Sequence, residues 1–241
     1  MGKFEGQVVL VTGASSGMGK ATALGFAREG ATVALVARRA DVLQEVAAEV
    51  ESLGGTALPL PTDLADGVQA RAAVEKTVAA FGRLDVVVNV AGTNLKKRAI
   101  AVLDPADWDE MLATNLSAAF HTTQAALVPM RTQQSGLIIY VSTGAVQHPD
   151  TSGVAYQASK HGISGLAHGT REEEKGNGIR TCIIFPGLTK TPLLNKRPTP
   201  TPPEVVAKAL LPEDVAAACL FVAGLPPRVR VPEMQILPAG L

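Results

Sequence analysis

Tyr156 and Lys160 stand four positions apart, so on a helix their side chains share one face about one turn from each other. A phenol, with an ordinary pKa of ~10, is a poor base at neutral pH, and a nearby ammonium that favours the phenolate would let it exchange a proton with a reacting oxygen. That chemistry suits a carbonyl, which needs a proton donor as its oxygen becomes an alkoxide, and equally an alcohol, which needs a base in the reverse direction. The chain holds two tyrosines, and this one has the lysine. Ser142 and Thr143, at the end of the apolar run Ile138-Ile139-Tyr140-Val141, offer hydroxyls that could orient the same oxygen. Adjacent strand residues point to opposite faces, so only one of the two turns toward it unless the strand bulges.

A second chemical feature lies near the start of the chain. Thr12-Gly13-Ala14-Ser15-Ser16-Gly17-Met18-Gly19 follows a strand-like apolar run and leads into a helical pattern. Glycines allow a tight turn and close backbone approach to a pyrophosphate, and free N–H groups at a helix start supply positive partial charge. The spacing is G-x-x-x-G-x-G rather than G-x-G-x-x-G, and its place after the first strand is what marks a dinucleotide site. The second strand ends Val36-Ala37-Arg38-Arg39. It has no acid for the ribose hydroxyl, and two neighbouring guanidiniums suit a 2′-phosphate, so NADP(H) is the expected cofactor.

The elements that must position these groups alternate. Short β-branched runs at 7–12, 32–37, 56–61, 85–89, 137–142, 180–185 and 233–237 read as seven strands, several of them apolar throughout. Helical patterns at 17–29, 40–53, 67–81, 107–132, 154–175, 203–211 and 212–224 separate them. This spacing predicts an α/β fold, a Rossmann-like doubly wound parallel sheet of seven strands with helices on both faces. No repeat or linker divides the chain, so 1–241 reads as one domain. The segment at about 187–203, bracketed by prolines, reads as a substrate-covering loop beyond a strand end. Lys96-Lys97-Arg98, in an irregular stretch at 93–106, reads as a solvated turn.

Of the 241 residues, 46% are hydrophobic and 18% charged, enough for a full core. Lys plus Arg number 22 and so do Asp plus Glu, which gives no global attraction to nucleic acid or an anionic membrane. With no apolar run of membrane length and no secretory-type apolar stretch at the N-terminus, a soluble cytoplasmic protein is expected. Cys182 and Cys219 read as buried small hydrophobes. The histidines at 121, 148, 161 and 168 show no metal-ligand spacing, and no metal is expected; His148, in the loop before the Tyr156 helix, is a candidate substrate contact.

The motifs together resemble the short-chain dehydrogenase/reductase family. Thr12 to Gly19 matches its T-G-x-x-x-G-x-G turn, and Asn89-Val90-Ala91-Gly92 its N-N-A-G apart from Val90. Asn115 matches its helix asparagine, Tyr156 to Lys160 its Y-x-x-x-K, and Pro186-Gly187 its P-G turn. The resemblance implies that Gly13, Ser15, Ser16, Gly17, Met18 and Gly19 cradle the cofactor and that Asp63 and Leu64 frame the adenine. Asn89, Ala91 and Gly92 would lie by the adenosine ribose and phosphates, and Pro186, Gly187, Thr189 and Thr191 toward the nicotinamide. Lys160 would hold the nicotinamide ribose, and Asn115 a relay water behind it. Counting thirteen positions back from Tyr156, where the family commonly places its serine, favours Thr143 over Ser142. The expected activity is NADP(H)-dependent interconversion of a small-molecule carbonyl and an alcohol. Alternatives are a 3-oxoacyl-thioester reductase of fatty-acid synthesis, whose typical glycine-rich end is absent here, and a non-catalytic NADP-binding sensor. The family also implies a homodimer or homotetramer through the helices at 107–132 and 154–175.

Overall fold

The computed structural model describes residues 2–241. Seven strands, β1 (Val8–Thr12), β2 (Thr32–Ala37), β3 (Thr56–Pro61), β4 (Val86–Asn89), β5 (Gly136–Val141), β6 (Ile179–Pro186) and β7 (Glu233–Ile236), form one sheet in the order β3-β2-β1-β4-β5-β6-β7. Every pairing is parallel. The apolar runs explain this arrangement: β1, β4 and β5 are buried at every position, because helices cover both faces of the sheet.

The helices are α1 (Gly17–Arg28), α2 (Ala40–Ser52), α3 (Gly67–Phe81), α4 (Pro105–Leu112), α5 (Ala118–Gln133), α6 (Val154–Glu174), α7 (Pro203–Val206) and α8 (Pro212–Ala223). One core gathers Phe26 of α1, Leu43 and Val46 of α2 and Val215 and Val222 of α8 under one face. The other gathers Ala70 and Val74 of α3, Ala126 and Met130 of α5 and Ile163 and Ala167 of α6. Both cysteines are free and buried, and burial pushes each thiol up to about 12. No helix among the described residues is long and apolar enough to cross a membrane.

Two predicted helices are interrupted. The pattern at 107–132 begins at Pro105, capped by the Asp104 carboxylate, which accepts from Ala106 N at 2.8 Å. It then widens into a π turn at Ala113–Ser117 before α5. The pattern at 203–211 stays helical only through Val206. Leu210 is drawn into parallel pairing with Thr189, with Leu210 N bonded to Leu188 O at 2.9 Å and Lys190 N to Leu210 O at 2.8 Å. The strand order reverses where β1 meets β4, and a doubly wound sheet leaves its crevice beyond the carboxyl ends at that point.

Candidate active site

A cavity of about 420 Å³ opens beyond those carboxyl ends. Gly13, Ser15, Ser16, Gly17, Met18 and Gly19 line it, with Ala91 and Gly92 contributed by the segment after β4. The glycines are sterically required. Gly13 has φ +67°, and a Cβ there would lie 3.0 Å from the Ala91 backbone; a Cβ on Gly19 would lie 2.2 Å from the Gly13 carbonyl oxygen. The start of α1 therefore sits directly on the turn. Its N-cap, Ser16, makes no side-chain capping bond, which leaves the first-turn N–H groups available to an anion.

Arg38, Arg39, Asp63 and Leu64 line the part of the cavity on the β2 and β3 side. Arg39 donates to Ser15 Oγ at 3.1 Å, which ties β2 to the glycine turn, and neither guanidinium forms a salt bridge among the described residues. Glycine cradle, open helix start and two guanidiniums without a carboxylate partner among the described residues together fit a phosphate-bearing dinucleotide. On the β5 side the lining passes to Ser142, Tyr156, Lys160 and Thr191. Asn89 is not among the lining residues; it ends β4 buried, and neither polar atom of its side chain has a hydrogen-bond partner among the described residues.

Pro186, Gly187, Thr189 and Thr143 line a second cavity of about 340 Å³, which shares Tyr156, Ser142, Met18 and Thr191 with the first. The two hydroxyls after β5 differ in orientation. Ser142 is buried and its Oγ donates to the Lys160 backbone carbonyl at 3.3 Å, whereas the Thr143 hydroxyl faces the Tyr156 phenol. Thr189 Oγ1 bonds to Gly187 O at 3.0 Å, fixing the turn after β6. Asn115 lies within the π turn. Its Oδ1 accepts from Thr93 N at 2.7 Å, while its Nδ2 donates to Thr93 O at 3.1 Å and to Ser159 Oγ at 3.1 Å. It thus clamps the segment after β4 to α6.

The electrostatics correct one expectation. The helical spacing predicts that Lys160 lowers the Tyr156 pKa, yet burial pushes the phenol above its ordinary value, and the opposing influences are the Thr143 hydroxyl, Arg98 and Arg197. The lysine acts elsewhere: its Nζ donates to Val141 O at 3.0 Å, and burial lowers it to about 8. Arg98 corrects another expectation. Lys96 and Lys97 are exposed as a solvated turn would be, but the Arg98 side chain turns inward and lines the second cavity with Tyr156. Its stem lies against the start of α6, where a Cβ on Gly153 would come within 2.8 Å of Arg98 Cβ. His148 also lines this cavity, as does Arg197 from the segment after β6.

Three positions were given no role by the sequence. Thr12 ends β1 with Oγ1 accepting from Val90 N at 2.9 Å and Ala91 N at 3.1 Å, and so holds the segment that faces the glycine turn. Its place at the head of the turn motif was the available signal. Arg98 and Arg197 had none, because only the fold brings them to Tyr156.

A model of the short chain dehydrogenase family matches residues 7–201. The 3-oxoacyl-[acyl-carrier-protein] reductase FabG of Thermotoga maritima is 36% identical over 227 residues, 92% of each chain. A metagenomic short-chain oxidoreductase solved in complex with NADP superposes with a TM-score of 0.86 at 31% identity, covering 98% of this chain and 99% of that one. The 3-ketoacyl-(acyl-carrier-protein) reductase of Brucella melitensis, complexed with NADH, gives a TM-score of 0.89 at 25% identity over 98% of each chain.

Proposed function

From the premise that this chain belongs to the short-chain dehydrogenase family, and is an oxidoreductase acting on CH–OH or C=O groups, we propose that it interconverts a small-molecule carbonyl and its alcohol using NADP(H), with Tyr156 as proton donor and acceptor. The observation that carries this reading is the place of Tyr156: its side chain borders both cavities, with the Thr143 hydroxyl beside it. A bound nicotinamide cofactor supplies or accepts the hydride. Burial favours the neutral phenol, so Tyr156 is poised to donate during reduction, while Thr143 orients the substrate oxygen. Lys160, anchored on Val141 O, faces the same cavity and serves the cofactor ribose.

The choice of NADP(H) rests on Ala37, Arg38 and Arg39, since structural relatives are complexed with either nicotinamide. The identity with FabG of Thermotoga maritima favours a 3-oxoacyl thioester as the second reading of the substrate. The segment at 187–203 acts as the substrate cover in this proposal; its Lys196 donates to Thr93 Oγ1 at 2.7 Å, bridging to the segment after β4. Exposed Phe120 and Val128 on α5 support association of copies through that helix.

Tyr156→Phe tests the assignment, because it removes the hydroxyl and keeps the ring. Carbonyl reduction, followed by nicotinamide absorbance, should fall by ~10² to 10⁴ while NADPH binding persists. A variant that reduces carbonyls at the wild-type rate would overturn the role of Tyr156. Binding of NADPH by a wild type that reduces no carbonyl would favour the sensor.

A further inference from the structure

The second cavity holds more positive charge than carbonyl reduction calls for. A ketone oxygen is served by the neutral donors Tyr156 and Thr143, yet Arg98 and Arg197 also line this space of about 340 Å³. Neither guanidinium forms a salt bridge among the described residues. Among the described residues buried Arg98 Nε has no hydrogen-bond partner, and Arg197 Nη1 donates to Thr201 Oγ1 at 3.1 Å.

This arrangement is built rather than incidental. Gly153, at φ +100°, gives room for the Arg98 stem, and buried Asn94 pins the Arg98 segment by donating to Ser152 O at 3.0 Å. Two partly buried guanidiniums side by side repel each other and lose hydration, a cost that an anionic ligand relieves. Burial, with neighbouring Arg197 second, holds the Arg98 guanidinium below its ordinary value, while Asp150 and Tyr156 act in the opposite direction.

The charge count selects the ligand. Asp150 also lines the cavity, and its Oδ1 is occupied by Ser152 N at 2.9 Å and Gln157 Nε2 at 3.3 Å. Of the Arg, Lys, Asp and Glu side chains in the lining, two arginines stand against one aspartate and leave one net positive charge, which a carboxylate neutralises and a phosphate dianion exceeds, with His148 the other titratable group facing the space besides Tyr156. A planar carboxylate also matches the guanidinium fork. We propose that the substrate is a small oxo acid, or the corresponding hydroxy acid, whose carboxylate is held by Arg98 and Arg197 while its reacting oxygen meets Tyr156 and Thr143. This inference rests on the reductase reading above and narrows its substrate class. The carboxylate itself is unchanged in the reaction: hydride adds to the carbonyl carbon and the proton comes from Tyr156.

The test compares short oxo acids with their methyl esters, with neutral ketones of similar size, with a phosphate monoester of a hydroxyketone and with an oxoacyl thioester of a small thiol, using NADPH. The free acid should exceed its ester in kcat/KM by at least about tenfold. Arg98→Met should narrow that acid-to-ester ratio by at least about tenfold, mainly through KM for the acid, and Arg98→Lys should restore part of it. Because the ratio is taken within one variant, a general loss of rate does not imitate the effect. Should Arg98→Met not fold, Arg197→Met and competitive inhibition of wild type by a non-reducible carboxylate against a neutral ketone read the same contact. Esters, thioesters or the phosphate monoester equal to or better than the acid, or a ratio unmoved in the variants, would overturn the carboxylate site and leave the reductase reading intact. If no carbonyl compound of either charge is reduced, the reductase reading falls and takes this inference with it.

Discussion

Thr12→Val replaces a hydroxyl by a methyl of nearly the same size at a fully buried position, so it isolates what the oxygen does. In the wild type that oxygen accepts two backbone donors, Val90 N at 2.9 Å and Ala91 N at 3.1 Å. Val90 and Ala91 are only half-buried, so water recovers part of the loss. An unsatisfied donor costs about 1–3 kcal/mol, which gives about 2–4 kcal/mol for the pair. For a chain of this size that corresponds to a fall of about 4–15 °C in Tm. Thr12→Ser keeps the oxygen and loses one buried methyl, worth about 1 kcal/mol, and so serves as the control. Urea unfolding with and without NADPH gives both stabilities, and fluorescence titration gives cofactor affinity. Affinity should fall in Thr12→Val because Ala91 and Gly92 line the cavity proposed for the cofactor and the Ala91 backbone abuts Gly13. Thr12→Val within 0.5 kcal/mol of wild type (roughly the spread of a neutral substitution), or less harmful than Thr12→Ser, would refute the argument.

Arg38→Asp should weaken NADPH by at least about tenfold more than NADH, since a charge-assisted phosphate contact becomes a repulsion; equal losses in titrations with the two cofactors would end the NADP assignment. Thr143→Ala should lower kcat by about 10², and Ser142→Ala by far less, because the Ser142 hydroxyl is directed at the Lys160 backbone; steady-state kinetics with the reverse ranking would reassign the role. Arg197 favours the Tyr156 phenolate, so Arg197→Met should raise the phenol pKa further. The alkaline rise in oxidation of a neutral alcohol should then move to higher pH, and a pH profile of kcat/KM that stays in place or moves down would contradict it.

The sequence by itself determined what depends on near neighbours in the chain. Runs such as Val8-Val9-Leu10-Val11 and Ile138-Ile139-Tyr140-Val141 have no polar face, so they belong inside a covered parallel sheet, and there they lie. The Gly13, Gly17 and Gly19 spacing specifies a turn that only unsubstituted α-carbons permit, which the contacts of Gly19 with the Gly13 carbonyl display. The four-residue step from Tyr156 to Lys160 likewise puts both side chains on one face of α6, bordering one cavity. Tertiary structure decided the rest, because the remaining properties are sums over groups distant in the chain. Period-two alternation required Ser142 and Thr143 to differ, but which of them meets Tyr156 depends on where β5 ends against α6. The direction of the Tyr156 shift reflects burial by several elements, which the helical spacing to a lysine does not reveal. In the sequence Arg98 is one more charge in a basic turn; in the fold its stem packs against Gly153, the Asn94 bond to Ser152 holds its segment, and it lines a cavity with Arg197. Local spacing encodes which groups share a helix or a turn; their charge environment is written only when the sheet brings separate segments to one edge.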